Sequence, residues 1–486
     1  MEPSTNAFRG SVIIWRIPSL QLMEMQIVIK NQNRVPVAMS GRVSSRHGFS
    51  GAWQAQVEPA RLRALCRRHG SRRGPSSAVS LPRLLMALVH HFLSGPGTFA
   101  EHMAVLLGVR RSDSTLAERR AALPWALFAE LLQACLRPRA QKKKHPQAFW
   151  RGWRLLALDG TTFSVSNTPQ LTGAFAKAAS RRLRAAFAKL NAVVLLEVGL
   201  HNPLALALGR HGESEWALAL GLLAQLPKAA LLLADRLYGC AAALAQVQAQ
   251  CTAVGSHYLI RVRKNLKARV VQRLADGSTL LEVAVRDPKK PRQVLQWLQV
   301  REVRIRVRRA GRGVEELRLW TSLLEAKSAP ALELAQLYAQ RWQHELYYRE
   351  MKVELRGGEL LQSHTPETAA QEVAALVIAT ALVAQARAAA AGGAVPVLQV
   401  SFVKLLSLVR TLWLTLELGG DLLSASQGKA LVARFWAQAR VLLTRPRRVP
   451  RSCPRVVRQP VRGWPRKTRN QSWQGPLVFQ ILAPKR

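Results

Sequence analysis

The chain has 486 residues, of which 49% are apolar, and it carries 72 Lys and Arg against 28 Asp and Glu, a formal charge of +44. The apolar fraction excludes a chain that is disordered throughout, and the length allows two to four domains. The positive charge favours a polyanionic partner, nucleic acid first and an anionic membrane surface second. Five scattered cysteines without a Cys-x2-Cys pair argue against a disulfide framework or a zinc finger and fit a reducing cytoplasm.

The first 150 residues are predicted to form two regions followed by a linker. Residues 1–45 show no sustained hydrophobic periodicity and no signal-peptide pattern, so we predict that they are poorly ordered. Short apolar segments with helix caps predict a helical N-terminal domain over residues 46–136, with DNA binding as its expected role. Arg119 and Arg120 in this region are candidates for DNA contact, although exposed arginines on a helix are more often only solvated. The basic stretch 137–150 is predicted to be a linker.

Beyond the linker the hydrophobic period changes from helical to strand-like. Three strand-like runs, followed by alternating helices and strands, give the mixed α/β order of the RNase H-like fold, which we predict for residues 151–372. Alternating Val and Arg predict a β-rich insertion at 264–325, with one buried and one basic face. Residues 373–438 are predicted to be a helical C-terminal region, and its apolar run 373–384 is too short to span a membrane. The Arg/Pro-rich residues 439–486, which include no acid, are predicted to be an extended, phosphate-binding arm.

Two aspartates stand out by their position after apolar runs. Asp159 ends the strand-like run "RLLALD", and Asp235 ends "AALLLAD". A carboxylate at the C-terminal end of a strand lies at the rim of the sheet, where ligands of α/β proteins bind. Each aspartate alone is better explained as the start of a turn or a helix cap. The two together, in an α/β unit of a very basic chain, favour a functional site.

The stretch "LYAQRWQHELYYREMKVEL", residues 337–355, is polar along one face although apolar segments flank it. At about 100° per residue, one helical stripe about 80° wide collects four polar side chains. These are Tyr338, Arg341, Glu345 and Lys352. Arg349 falls on the same stripe, either as a further phosphate contact or as the i,i+4 partner of Glu345, and we favour the second interpretation.

The carboxylates of Asp159, Asp235 and Glu345 would repel one another at close range unless cations lay between them. Hard oxygen ligands suit Mg²⁺ or Mn²⁺, and two such ions would activate the attacking oxygen and stabilise the leaving oxygen of a phosphoryl displacement. We predict that the two aspartates bind the first or a bridging ion and that Glu345 completes the second site. The other polar residues of the stripe would hold the phosphates beside the scissile bond.

The motif Tyr-x2-Arg-x3-Glu-x6-Lys resembles that of the DDE transposases of bacterial insertion sequences, insertion-element-four type. The surroundings "LLALDGTTF" and "ADRLYG" resemble the two aspartate contexts of this family, and the second includes Arg236. The resemblance covers residues 80–469. It implies a DNA-binding helical N-terminal domain, an RNase H-like catalytic core with a β-rich insertion, and C-terminal helices that dimerise.

The resemblance also implies a reaction. Members of the family cut DNA at the ends of their element and join 3′-OH ends to target DNA, some through a hairpin whose base is flipped onto tryptophan. Trp342 matches the position of such a tryptophan, and both base stacking and core packing remain open for it.

Three functions follow from these observations. The first is a transposase with two Mg²⁺ or Mn²⁺ ions that acts on double-stranded DNA, as a homodimer in the DNA complex and in the cytoplasm at the nucleoid, without a membrane. The second is a DNA-binding protein that has lost catalysis, and the third is a structure-specific RNase H-like nuclease without strand transfer. The complete set of three acids favours the first.

Overall fold

The computed structural model describes residues 48–70, 79–177, 185–209, 213–309, 312–358, 360–419 and 422–444. The predicted disordered segment and nearly all of the predicted basic arm lie outside these residues. The first residues of that arm, up to Arg440, continue the last helix of the described chain.

A large mixed sheet forms the centre of the described chain, with the strand order β4-β3-β2-β5-β6-β10-β9-β8-β7 and β1 paired to β2. Strands β2, β3 and β4 are antiparallel to one another, whereas β2, β5 and β6 are parallel. The strands are β1 (Phe149–Trp150), β2 (Trp153–Ser164), β3 (Lys189–Glu197), β4 (Asn202–Leu208), β5 (Ala230–Ala234), β6 (His257–Arg261), β7 (Arg269–Arg273), β8 (Thr279–Arg286), β9 (Val294–Arg309) and β10 (Arg312–Thr321). The fold class is therefore α/β, as predicted.

The strands predicted for the insertion extend the central sheet. Strand β10 pairs antiparallel with both β9 and β6, so the hydrogen-bond ladder continues from the central strands into the insertion. Val303 in β9 is buried, whereas the neighbouring Arg304 and Arg306 are exposed, which is the predicted alternation. The basic face therefore belongs to the same sheet as the two aspartates.

Helices before, between and after the strands cover the sheet. Those before it are α1 (Phe49–Gln56), α2 (Pro59–His69), α3 (Leu81–Leu93), α4 (Phe99–Leu107), α5 (Asp113–Ala121) and α6 (Trp125–Cys135). Those between strands are α7 (Pro169–Ala174), α8 (Glu215–Leu223) and α9 (Ala241–Ala253). Those after β10 are α10 (Ala331–Tyr338), α11 (Gln343–Arg349), α12 (Pro366–Ala391), α13 (Phe402–Leu418) and α14 (Ala425–Arg440).

The helices from the two ends of the chain share one hydrophobic core. Phe49 of α1, Leu132 of α6, Ile378 of α12, Trp413 of α13 and Phe435 of α14 all belong to it. The two helical regions that the sequence separates are thus packed together, and the boundaries between the predicted domains stay predictions.

Helix α12 is the centre of this helical layer. It has 26 residues, and within the described chain it is the one helix long and apolar enough to cross a membrane. The run at 373–384 is therefore part of a longer helix than we predicted. In its most apolar window 78% of the residues are buried inside the protein, which is typical of a core helix.

The predicted linker is fixed to the sheet by Glu197 at the end of β3. Its fully buried carboxylate accepts hydrogen bonds from the backbone N–H groups of Arg139 (2.9 Å) and Ala140 (3.1 Å). It also pairs with Arg154 of β2 and accepts from Asn202 Nδ2 at 2.7 Å. This part of the basic stretch 137–150 is consequently attached to the sheet through a buried charge.

Candidate active site

Asp159 and Asp235 lie next to each other at one edge of the central sheet. Asp235 is the first residue after β5, as predicted. Asp159 does not end its strand, because β2 continues to Ser164 along its antiparallel partner β3. The parallel partner β5 stops opposite Leu158, so the side of β2 next to Asp159 is no longer covered by a strand. Asp159 therefore reaches the rim of the sheet from the middle of a strand.

The segment that carries Glu345 is not the continuous α-helix that we predicted. Helix α10 is followed by a 3₁₀ turn (Ala339–Trp342), then by α11, and then by a π-helical turn (Glu350–Leu355). The stripe calculated from an ideal α-helix is therefore only approximate. The last residue of the motif, Lys352, lies within this π-helical turn.

Buried contacts explain the π-helical turn. Tyr347, Tyr348 and Met351 are buried, and Glu350 also faces inward, which is more than a regular α-helix can bury over five positions. Glu350 is held by Arg387 Nη1 of α12 (3.0 Å) and by His201 Nδ1 (2.6 Å). A wider turn brings these neighbours to the same side, and such turns are frequent at functional sites.

Arg341 connects two of the three predicted acids. Its Nη1 donates to Asp159 Oδ2 at 3.0 Å, and its Nη2 donates to Glu345 Oε1 at 3.3 Å. All three side chains are largely but not fully buried, with exposed fractions of 17%, 18% and 29% for Arg341, Asp159 and Glu345. The guanidinium group thus takes a position between carboxylates that a cation would also favour.

Burial and neighbouring charges both act on Asp159. Burial raises the pKa of Asp159 to about 7, Arg341 opposes this, and the carboxylates of Asp235 and Glu215 raise it further. The Gly160 N–H donates to Asp159 Oδ1 at 2.9 Å. Asp235 Oδ1 accepts the backbone N–H of Leu237 at 2.7 Å, a turn contact that leaves its second oxygen for other partners.

Tyr338 lies beneath the aspartates. It is 8% exposed, its hydroxyl donates to the Ala234 carbonyl at 3.3 Å, and burial raises its pKa to about 12. The Tyr338 hydroxyl therefore supports the end of β5. A direct phosphate contact by this hydroxyl stays a prediction.

Lys352 lies on the part of β2 that extends beyond Asp159. Its Nζ donates to Thr161 Oγ1 (2.5 Å) and to the Thr162 carbonyl (2.7 Å), and it stands 4.7 Å from the centre of the Phe163 ring. Burial, followed by repulsion from Arg356 and Lys189, lowers the pKa of Lys352 to about 8. The π-helical turn directs this lysine towards β2 and away from Arg341.

Two arginines that the sequence singled out, Arg349 and Arg120, have partners that we did not expect. Arg349 pairs with Glu354 at 3.2 Å, so the expected pairing with Glu345 is wrong. Arg120 donates to Gln371 Oε1 at 3.3 Å and lies over the Phe99 ring, so it is packed against the helical layer, and DNA contacts by Arg119 and Arg120 stay a prediction.

Trp342 and Arg236 are both exposed beside the site. Trp342 is 45% exposed, so it is not a core residue, and base stacking by its ring stays a prediction. Arg236 directly follows Asp235 on the exposed side of the turn.

Glu215 is a fourth carboxylate that the sequence interpretation missed. It is the first residue of α8, and its Oε1 accepts the Tyr238 hydroxyl at 2.7 Å. A Cβ atom at Gly160 would lie only 2.1 Å from the Glu215 carboxyl carbon. An acid in the first turn of a helix is an ordinary capping feature, so no local signal distinguishes Glu215.

The donor set suits a hard divalent cation, although the side chains do not yet enclose one. Within the described residues no group of three or more His, Cys, Asp or Glu side chains is arranged so as to hold a metal ion. Arg341 separates Asp159 from Glu345. The donors gathered here are carboxylate oxygens, the ligand type that hard divalent cations prefer. The carboxylates of Asp159, Asp235 and Glu345 are therefore of the chemical type that suits a divalent cation, and Arg341 stands between two of them.

Comparisons with known proteins identify relatives of the part of the chain that carries these residues. Residues 150–382 match the family model described as "Transposase DDE domain". A curated relative, the transposase InsG for insertion sequence element IS4 of Escherichia coli (strain K12), is 29% identical over 237 residues. The match covers 48% of this chain and 52% of the relative, so the chain spans about half the length of the curated relative that it matches.

A solved structure is similar over more of the chain but at a lower level. It is the cryo-EM structure of the piggyBac transposase synaptic complex with hairpin DNA, with 9% sequence identity and a TM-score of 0.38. The alignment covers 85% of this chain and 89% of that chain.

Proposed function

Because this chain belongs to the DDE transposases of the insertion-element-four type, we propose that it cuts DNA at the ends of an insertion sequence and joins them to target DNA. The observation that carries the proposal is the grouping of Asp159 and Asp235 at one sheet edge, with Arg341 linking Asp159 to Glu345. We further propose that the core is RNase H-like. The antiparallel order β4-β3-β2, followed by parallel β5 and β6, supports that assignment.

In this proposal Asp159, Asp235 and Glu345 hold divalent cations, Mg²⁺ or Mn²⁺ and two in number. When bound, the cations supply the positive charge that activates the attacking oxygen and stabilises the leaving oxygen. The carboxylates would bind them through oxygens that now face Arg341 or one another. The half-buried setting of these acids limits access of bulk water and strengthens each charge interaction.

The other residues of the site bind and orient DNA. Arg341, once released from the acids, has a planar donor group that suits a phosphate beside the scissile bond. Lys352 would contact a second phosphate along β2, and Arg236 a third from the turn after β5. Trp342 would stack on a base that has left the duplex, since its ring is half exposed next to Arg341.

The partners follow from the same proposal. Double-stranded DNA is the substrate, and the formal charge of +44 supports strong, salt-dependent binding to it. We propose a homodimer in the DNA complex and a location in the cytoplasm, where the element's DNA lies. The helical N-terminal region would contribute to DNA binding.

A cleavage assay with matched glutamate variants tests the proposal. Terminal inverted repeats from the DNA that flanks the gene serve as substrate, with and without Mg²⁺ or Mn²⁺. We expect metal-dependent cutting that Glu345→Gln abolishes, with DNA affinity changed less than threefold. Glu354→Gln is the control, because it makes the same chemical change on the same segment in a residue that pairs with Arg349.

Each outcome separates the alternative functions. Cutting by Glu345→Gln would refute the role of the three acids. DNA binding by the wild-type protein without any cutting would indicate a protein that has lost catalysis. Cutting without joined products when a target plasmid is supplied would indicate a nuclease without strand transfer.

A further inference from the structure

Glu215 contacts both segments that carry the aspartates. On one side its carboxyl group lies against Gly160, the residue after Asp159, where only a hydrogen atom leaves enough space. On the other side it accepts a 2.7 Å hydrogen bond from Tyr238, three residues after Asp235. These contacts join β2 to the turn that follows β5 on the side of the sheet covered by α8.

The contacts of Glu215 are well defined. Tyr238 is fully buried and its ring stands 6.0 Å from that of Trp216, the residue after Glu215. The turn that contains Tyr238 is itself fixed, because a Cβ atom at Gly239 would lie 2.4 Å from the Arg261 carbonyl oxygen. The backbone on both sides of the hydrogen bond from Tyr238 to Glu215 is therefore closely packed.

A carboxylate at this position has an electrostatic cost. Burial raises the pKa of Glu215, the Tyr238 hydroxyl opposes this, and the carboxylate of Asp235 raises it further. No salt bridge involves Glu215 in the described part of the chain. A residue retained in such a place needs a role that offsets the repulsion.

We propose that Glu215 is a positioning residue that holds Asp159 and Asp235 at the spacing needed to bind a divalent cation. It acts through the Tyr238 hydroxyl and through its contact with Gly160. This inference rests on the proposed function of the site. In this proposal Glu215 acts on the cation ligands through these two contacts and is not one of them.

Cation binding, measured without reference to cleavage, tests the inference. Mn²⁺ is titrated into the complex of the protein with its terminal-repeat DNA, and free Mn²⁺ is followed by electron paramagnetic resonance. We expect Glu215→Ala and Tyr238→Phe each to weaken Mn²⁺ binding about 10- to 100-fold, the usual effect of losing a group that orients metal ligands. The double variant should be no weaker than either single variant, because both changes remove the same connection.

Two further variants distinguish a positioning role of Glu215 from an effect of its charge and from a general loss of stability. Glu215→Gln keeps an acceptor for Tyr238 and should bind Mn²⁺ within about threefold of wild type. Tyr258→Phe is the control for Tyr238→Phe, because it removes a buried hydroxyl bonded to Gln248 Oε1 (3.0 Å) away from the aspartates. It should leave Mn²⁺ binding unchanged. DNA affinity and the midpoint of thermal unfolding are measured for every variant.

The outcomes are distinguishable. If Glu215→Gln and Glu215→Ala weakened Mn²⁺ binding equally, the proposed positioning role of Glu215 would be overturned, since the loss of its charge alone would explain the effect. Tyr238→Phe behaving like Tyr258→Phe would overturn it as well. If wild type binds Mn²⁺ and only Asp235→Asn weakens binding, this inference fails and the proposed function stands. If Asp235→Asn binds Mn²⁺ as wild type does, the proposed function fails.

Discussion

Strand β2 lies beside one buried acid and carries another, and the two negative charges are balanced to different extents: Glu197 of β3 lies beside the start of β2, and Asp159 lies in its middle. Near its start, Arg154 and three other donors satisfy the carboxylate of Glu197 completely. Near its middle, Asp159 has one arginine, one backbone donor and two carboxylates in its surroundings. The same strand can therefore neutralise a buried acid where the acid only holds the structure together. The carboxylate of Asp159 is not neutralised in this way, which indicates a position where a bound cation would be favoured.

The largest effect that tests this comparison is the removal of the Asp159 charge. Asp159→Asn should reduce single-turnover cleavage by about 10³-fold or more, which is roughly 4 kcal/mol of transition-state stabilisation. DNA affinity should remain within a few fold. Asp287→Asn, in a turn of the insertion, is the matched control and should cut at the wild-type rate.

The same variant should also be more stable than wild type when divalent cations are absent. Burial raises the pKa of Asp159 from 3.8 to about 7, so the folded protein keeps a proton that the unfolded chain releases between these values. Stability therefore decreases as pH rises through this window and stays low above it. Urea unfolding at pH 8 should show Asp159→Asn above wild type, and a less stable variant would contradict the comparison.

For Glu197, which lies beside the start of β2, we expect the opposite change in stability. Glu197→Gln should lower the free energy of unfolding by about 3–5 kcal/mol, because the change leaves the Arg154 charge in a buried place without its counter-charge. Cleavage per folded molecule should change little at low temperature. Urea unfolding measures the first quantity and single-turnover assays the second. A loss below about 0.5 kcal/mol would remove the contrast between the two acids.

A buried histidine in the helical layer shows a third way to accommodate a titratable group, and its effect is the smallest. His90 of α3 packs 4.9 Å from the Phe49 ring, and burial, with repulsion from His102 and His91, lowers its pKa from 6.5 to about 4. Below pH 6.5 the unfolded chain therefore binds a proton that the folded protein does not, and stability falls as pH falls.

Replacing this histidine isolates its share of the acid sensitivity. His90→Phe keeps an aromatic ring and should lose about 2 kcal/mol less stability than wild type between pH 7 and pH 5. Urea unfolding at the two pH values gives the difference directly. Equal losses in both proteins would show that His90 protonates without opening the helical layer.

Local patterns in the sequence predicted the elements that depend on neighbouring residues. The apolar runs before Asp159 and Asp235 predicted two strands of one sheet, and the α/β order followed from the sequence of such runs. The alternation of Val303 with Arg304 predicted the two faces of β9. In each case the side chains a few positions apart already define the buried and exposed sides.

Features that depend on distant contacts were not predictable in this way. The π-helical turn depends on Glu350 meeting His201 and Arg387, which are far away in the chain. This turn also explains the error at Arg349, because π-helical geometry brings the residue five positions later, Glu354, next to it. Glu215 was missed for the same reason, since its neighbours at the site belong to β2 and to the turn after β5.

The pairing of β10 with β6 has a mechanical consequence. A hydrogen-bonded ladder runs without interruption from β4 to β7, so the distance between the acids and the basic face of β9 is set by the spacing of strands and not by a hinge. Arg304 and Arg306, with Lys264 and Lys267, line a cavity of about 980 Å³ on that face. In the proposed function, a DNA strand that contacts both the acids and this face would therefore span a fixed distance between them.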